Sequence, residues 1–186
     1  MTSLKEAIKN SWLNSCSVYT LGPNEPVTEL IEPGKAWIVR CRYDSQVLVT
    51  CGDASLPMID IDNKHGLLPA LFERMLRSTE MNLQLRVYET AHGFRLLVES
   101  QALKPEGATF AVLARAFDCD QSYLKLCQKQ QCYRARLTLK PGAANGARVC
   151  RYIGTIGSAG IDETLAPLIQ LQDERTGALL ESGELG

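Results

Sequence analysis

Asp60 and Asp62 stand two positions apart in Met58-Ile59-Asp60-Ile61-Asp62. On a strand, alternate side chains share a face. Met58, Asp60 and Asp62 then lie on one side, with Ile59 and Ile61 on the other. The carboxylates sit about 7 Å apart along such a strand. Two converging carboxylates suit a hard divalent cation such as Mg²⁺ or Mn²⁺. The plainer alternative is the polar end of a strand entering the turn Asn63-Lys64-His65-Gly66.

Two further segments carry complementary chemistry. Thr90-Ala91-His92-Gly93-Phe94 is a small-residue turn followed at once by the cation Arg95. Asp118 and Asp120 precede a run in which Arg134, Arg136, Thr138 and Lys140 alternate with Tyr133, Ala135, Leu137 and Leu139. Carboxylates that hold metal ions, beside Arg and Lys that hold phosphates, are the parts required for two-metal phosphoryl or nucleotidyl transfer. The metal ligands on this reading are Asp60, Asp62 and Asp120, with Asp118 as the competing third acid. The phosphate-binding cations are Arg95, Arg134, Arg136 and Lys140. Each residue also has a purely structural role open to it. Asp120 is a good helix cap, Arg95 can pair with Glu99 across a hairpin, and His65 and His92 are lone histidines in turns. Tyr88, Tyr123 and Tyr133 can stack bases or pack a core.

The elements that must position these groups are legible from periodicity. Residues 3–14 suit an amphipathic helix, and 21–26 (LGPNEP) a loop. The β-rich runs 36–42 and 46–51 form a hairpin, and 56–62 is the next strand. A helix follows over 66–78, then a second hairpin from 83–88 and 94–98. Helices are expected over 106–117 and 120–129, a strand over 132–140, a short strand over 148–153 and a final helix over 162–171. This order predicts an α+β fold with a mostly antiparallel sheet of split βαβ or ferredoxin-like form, its helices packed on one face.

The 186 residues, 45% apolar and 22% charged, suit one soluble globular domain. Within it, residues 1–35 read as an N-terminal helix and loop, 36–145 as the core, and 146–186 as a C-terminal strand and helix. No apolar run approaches the roughly 18 residues of a membrane span. The N-terminal segment does not read as a secretory signal, so a cytoplasmic location is expected. The seven cysteines are odd in number and lack a CxxC pair, which argues for buried thiols rather than a disulfide framework or a zinc site. The net charge of −1 is unevenly spread. Residues 121–161 contain no acid but do contain Lys125, Lys129, Arg134, Arg136, Lys140, Arg148 and Arg151. Segregation of that kind marks an anion-binding face, or a surface balanced by the acidic C-terminal stretch.

The motif order resembles the catalytic core of the archaeo-eukaryotic primase superfamily, especially its primase-polymerase branch. That branch has an apolar strand ending in Asp-x-Asp, matched by Met58 to Asp62, with a lysine soon after, as Lys64 is here. Its next motif is a Ser/Thr-Gly turn ending in a nucleotide-contacting histidine. Thr90 to Arg95 occupies that place, with Arg95 at the histidine's position and His92 three residues early. A third acid and an Arg-Leu-Pro-Gly run follow in the family; Asp120, Arg136-Leu137, Lys140-Pro141-Gly142 and Asn145 echo them. The resemblance covers about residues 36 to 145. It implies an RRM-like sheet in a primase-like core that uses Mg²⁺ or Mn²⁺, nucleoside triphosphates and a single-stranded template. Lys64, Thr90 and Gly93 would join the phosphate-binding cations in holding nucleotide, and no zinc is expected. The alternative is a catalytically inactive nucleic-acid-binding or protein-interaction module on the same fold, with Leu165, Leu168, Ile169 and Leu171 available to dock a partner.

Overall fold

The computed structural model describes residues 27–31, 36–40, 45–52, 55–62, 69–181 and 184–185. The expected helix over 3–14 and Lys64 lie outside the described residues. Among the described residues are eight strands: β1 (Val27–Ile31), β2 (Ala36–Arg40), β3 (Gln46–Cys51), β4 (Met58–Ile61), β5 (Gln84–Thr90), β6 (Phe94–Val98), β7 (Cys132–Arg136) and β8 (Cys150–Gly157). The helices are α1 (Pro69–Arg77), α2 (Ala108–Ala116), α3 (Gln121–Gln130) and α4 (Ala166–Thr176).

The fold is α+β, but its strands form two four-stranded antiparallel sheets where one was expected. Their orders are β1-β2-β3-β7 and β4-β6-β5-β8. Both expected hairpins are present, β2–β3 and β5–β6. The second is closed by Thr90, whose N–H donates to the Gly93 carbonyl at 2.9 Å and whose hydroxyl accepts the Gly93 N–H at 3.0 Å. Residues 27–31, read from the sequence as part of an N-terminal helix and loop, form strand β1 instead, which pairs with β2 through a register shift between Val27 and Glu29.

The sheet of β4, β6, β5 and β8 is covered on both sides, not on one face as its periodicity suggested. Every residue of β6 is buried, the mark of a strand with no solvent side. Phe94 points to the α1 side, where its ring meets Phe72 edge-on at 5.1 Å. Arg95, the next residue, points the other way. On that second side Asp173 of α4 accepts a hydrogen bond from the Tyr88 hydroxyl at 2.6 Å and from Arg86 Nη2 at 2.7 Å. Leu165, Leu168 and Ile169, offered by the sequence as a partner-docking stripe, are buried in this chain's own core.

The apolar interior runs through Phe72, Phe94, Phe110, Phe117 and Tyr133, with Phe110 edge-on to Tyr133 at 4.9 Å. Tyr88 and Tyr133 therefore pack the core, and neither is available to stack a base. The buried cysteines Cys119, Cys127 and Cys150 fill the same interior. Among the described residues, no helix is long and apolar enough to cross a membrane.

Candidate functional site

β4 and β7 belong to different sheets yet pack against each other, and a cavity of roughly 200 Å³ opens where they meet. Asp60 and Asp62 line it from β4 and the residue after its end. Thr90, Ala91, His92 and Arg95 line it from the β5–β6 turn, and Arg134, Arg136 and Lys140 from β7 and beyond. Val47, Val149, Tyr123 and Leu126 complete the wall. Three stretches far apart in the chain thus supply two carboxylates, four permanent cations, a histidine and a hydroxyl to one concavity.

The register explains the placement. Asp60 lies opposite Arg95 in the β4–β6 ladder, and their side chains form an ion pair at 3.5 Å. Arg95 in turn faces Tyr88, and Tyr88 faces Tyr152. These four residues make one row across the sheet, anchored at Tyr88 by Asp173. Arg95 also donates from Nη1 to the carbonyl of Arg136 at 3.3 Å, joining the two sheets at the cavity floor. Arg136 donates to the Ser45 hydroxyl at 2.9 Å. On β7, Arg134 and Arg136 share a face opposite Val49 and Val47, while Tyr133 and Ala135 enter the core. The strand ends at Arg136 rather than at Lys140. The Thr138 hydroxyl replaces a ladder acceptor by taking the Gln46 N–H at 2.9 Å, and Lys140 reaches the cavity from the following loop.

The third acid is placed differently from its neighbours. The Asp120 N–H donates to the Asp60 carbonyl at 2.8 Å, so the segment lies beside β4. Its carboxylate accepts the Tyr123 N–H at 2.6 Å and caps α3. Asp118 is exposed at a positive φ of 51° and is the weaker candidate. Among the described residues, no three acidic, histidine or cysteine side chains gather closely enough to hold a metal ion. Gly93 is buried within its turn and shapes the loop without lining the cavity. Arg95 pairs with Asp60, whereas Glu99 accepts from Gln84 at 2.7 Å and lies 3.8 Å from Arg86. The bland Arg95–Glu99 pairing is thereby replaced.

Burial pushes the Asp60 carboxyl above its ordinary range. The guanidinium of Arg95 opposes that shift, and the charges of Asp62 and Asp120 add to it. Burial raises Tyr123 well above its usual value, so it stays a neutral phenol. Burial likewise pushes the Cys119 thiol up to about 12, which removes it as a thiolate nucleophile near this site. No protein-family profile, curated protein or solved structure matches the chain.

Sequence reasoning noticed His92 and Tyr123 but gave neither a place in the site. Their only signal was position, His92 inside the candidate turn and Tyr123 one helical turn after the capping acid. Val47, Leu126 and Val149 are apolar residues on elements of ordinary pattern, and nothing in the sequence singles them out.

Proposed function

We propose that this cavity binds the phosphate chain of a nucleotide together with a divalent cation, and that the reaction class is nucleotidyl transfer of the primase-polymerase kind. The observation that carries the reading is the meeting of Asp60 and Asp62 with Arg95, Arg134, Arg136 and Lys140 in one concavity. A cavity of roughly 200 Å³ is smaller than the about 300–1,000 Å³ that encloses a whole drug-sized ligand. It suits a triphosphate and its cation, with the sugar and base beyond the mouth.

The path of the chain supports the same reading. β4, α1, β5, β6, the α2–α3 pair and β7 follow one another as in a split βαβ unit. The strand order β4-β6-β5 matches three strands of an RRM-like sheet, while β7 is hydrogen-bonded to β3 in the other sheet and packs against β4.

Asp60 and Asp62 are the groups that would hold Mg²⁺ or Mn²⁺. The raised carboxyl of Asp60 fits this, because a nearby cation offsets the charge that burial disfavours. A bound divalent ion would supply charge neutralisation and activation of an attacking oxygen. Arg134, Arg136 and Lys140 neutralise and orient phosphate oxygens from the opposite wall. Arg95 holds Asp60 in place and keeps a second cation at the floor.

Asp120 favours a second reading, because its carboxylate already caps α3. On that reading the same cations bind single-stranded nucleic acid without catalysis. Thermal shift separates the two. Mn²⁺ with a nucleoside triphosphate raises the melting temperature of the wild type and leaves Asp60→Ala/Asp62→Ala unmoved if the first reading holds. No shift in either protein removes it. Salt-sensitive binding of single-stranded DNA or RNA that survives chelation and is lost in Arg134→Ala/Arg136→Ala establishes the second reading.

A further inference from the structure

Cys51 closes β3 and Cys132 opens β7, and the antiparallel register sets them directly opposite each other. Neither is in a disulfide; Cys51 is half-buried and Cys132 buried. The Leu137 N–H donates to the Gln46 carbonyl at 2.8 Å, which marks Gln46/Leu137 as a hydrogen-bonded pair of this ladder. Pair types alternate along antiparallel strands. Cys51 is five residues beyond Gln46, so Cys51/Cys132 is a non-hydrogen-bonded pair. Opposed Cα atoms at such positions lie about 4.5 Å apart, within the roughly 4.4–6.8 Å that a disulfide spans.

We propose that Cys51 and Cys132 are an oxidative modification site, forming a reversible cross-strand disulfide that clamps β7 to β3. The inference stands apart from the nucleotide reading and does not need it. The oxidant is a hydroperoxide. Cys51, at the solvent-facing end of its strand beside exposed Gly52, takes one oxygen and becomes a sulfenic acid, releasing water from hydrogen peroxide. The Cys132 sulfur then attacks the Cys51 sulfur. The S–S bond forms, the S–O bond breaks, and the departing hydroxide leaves as water with the Cys132 proton. Two thiols and one peroxide thus give one disulfide and two waters.

The competing partners for Cys132 are less suited. Among the described residues, Cys127 sits on α3 and Cys119 precedes that helix, so neither is set opposite Cys132 in a ladder as Cys51 is. The clamp fixes the strand that carries Arg134 and Arg136, so oxidation would rigidify one wall of the cavity. It also closes a long chain loop in the unfolded state, which adds stability.

The test treats the full-length protein with hydrogen peroxide, blocks remaining thiols with N-ethylmaleimide, and maps peptides by mass spectrometry. The expected product is a Cys51–Cys132 linked peptide lighter by two hydrogens. It melts about 10 °C higher than the reduced protein and reverts with dithiothreitol. Cys51→Ser must abolish the link and the thermal gain, while Cys127→Ser must leave both. A link from Cys132 to Cys127 or Cys119 overturns the proposal. So does Cys51 ending as sulfinic acid with Cys132 still alkylatable, or no linked peptide at all. Cys132→Ala provides a second variant, in which Cys51 should stop at an alkylation-resistant oxyacid; a disulfide to another cysteine there counts against the pairing.

Discussion

Replacing Asp173 by alanine removes the acceptor that ties α4 to the sheet. Its two carboxylate oxygens receive the Tyr88 hydroxyl at 2.6 Å and Arg86 Nη2 at 2.7 Å. The Asp173 side chain is only 7% exposed, so solvent screens the pair little. Hydrogen bonds to a charged partner contribute roughly 1.5–3 kcal/mol each, giving about 3–6 kcal/mol for the pair. Arg86 keeps Glu99 at 3.8 Å and stacks over the Tyr152 ring at 4.2 Å, which places the expected loss near the lower end, about 3–4 kcal/mol. For a chain of this size each kcal/mol moves the melting temperature by roughly 2–4 °C, so Asp173→Ala should melt about 10 °C below wild type. Asp173→Asn keeps one acceptor and should fall about half as far. Thermal unfolding followed by circular dichroism measures both. Because Tyr88 faces Arg95 across the ladder, the alanine variant should also loosen the cavity floor. A melting temperature within about 2 °C of wild type would refute the view that a buried ionic network fastens this helix.

Other expectations follow from the same geometry. The raised carboxyl of Asp60 means that the folded state binds a proton more readily than the unfolded chain. Stability from this group is therefore full below the ordinary carboxylate range and is lost as pH rises through the raised folded value. Asp60→Asn should flatten that fall and raise the melting temperature at neutral pH, which a series of melts against pH will show. Gly157→Ala should cost more than about 2 kcal/mol, because the residue has φ of +82° and an added Cβ would lie 2.0 Å from the Leu83 carbonyl oxygen; chemical denaturation reads the loss. Phe72→Ala should lose about 3–5 kcal/mol, since its ring meets both Phe94 and Phe117. Arg134→Ala/Arg136→Ala should weaken triphosphate binding about a hundredfold at low salt, roughly tenfold per lost charge-assisted contact, with little change in metal affinity by calorimetry.

The sequence disclosed local structure where periodicity and punctuation agreed. The two hairpins, the helices after Pro69, Gly107 and Asp120, and the Asp60/Asp62 face all follow from side-chain alternation, turn residues and capping. The sequence suggests on chemical grounds that Asp60, Arg95 and Arg134 could share one sheet face; the structure brings them together across two sheets instead, since no local rule links residues on separate strands. What periodicity does not encode is which elements share a sheet. β7 alternates cleanly, yet that pattern is the same whether it pairs with β3 or with β4. Likewise, Leu165, Leu168 and Ile169 mark an apolar helix face without saying that Tyr88 and Arg86 wait beneath it. Asp120 shows the limit at the site itself, because a capping carboxylate and a metal-holding carboxylate look alike in sequence. Only the Tyr123 N–H at 2.6 Å separates the two roles.

The central claim is best tested by a crystal structure of the protein soaked with Mn²⁺ and a nucleoside triphosphate. The account predicts anomalous density between Asp60 and Asp62, with phosphate oxygens on Arg134, Arg136 and Lys140. Nucleotide bound elsewhere, or manganese density away from both aspartates, would contradict it.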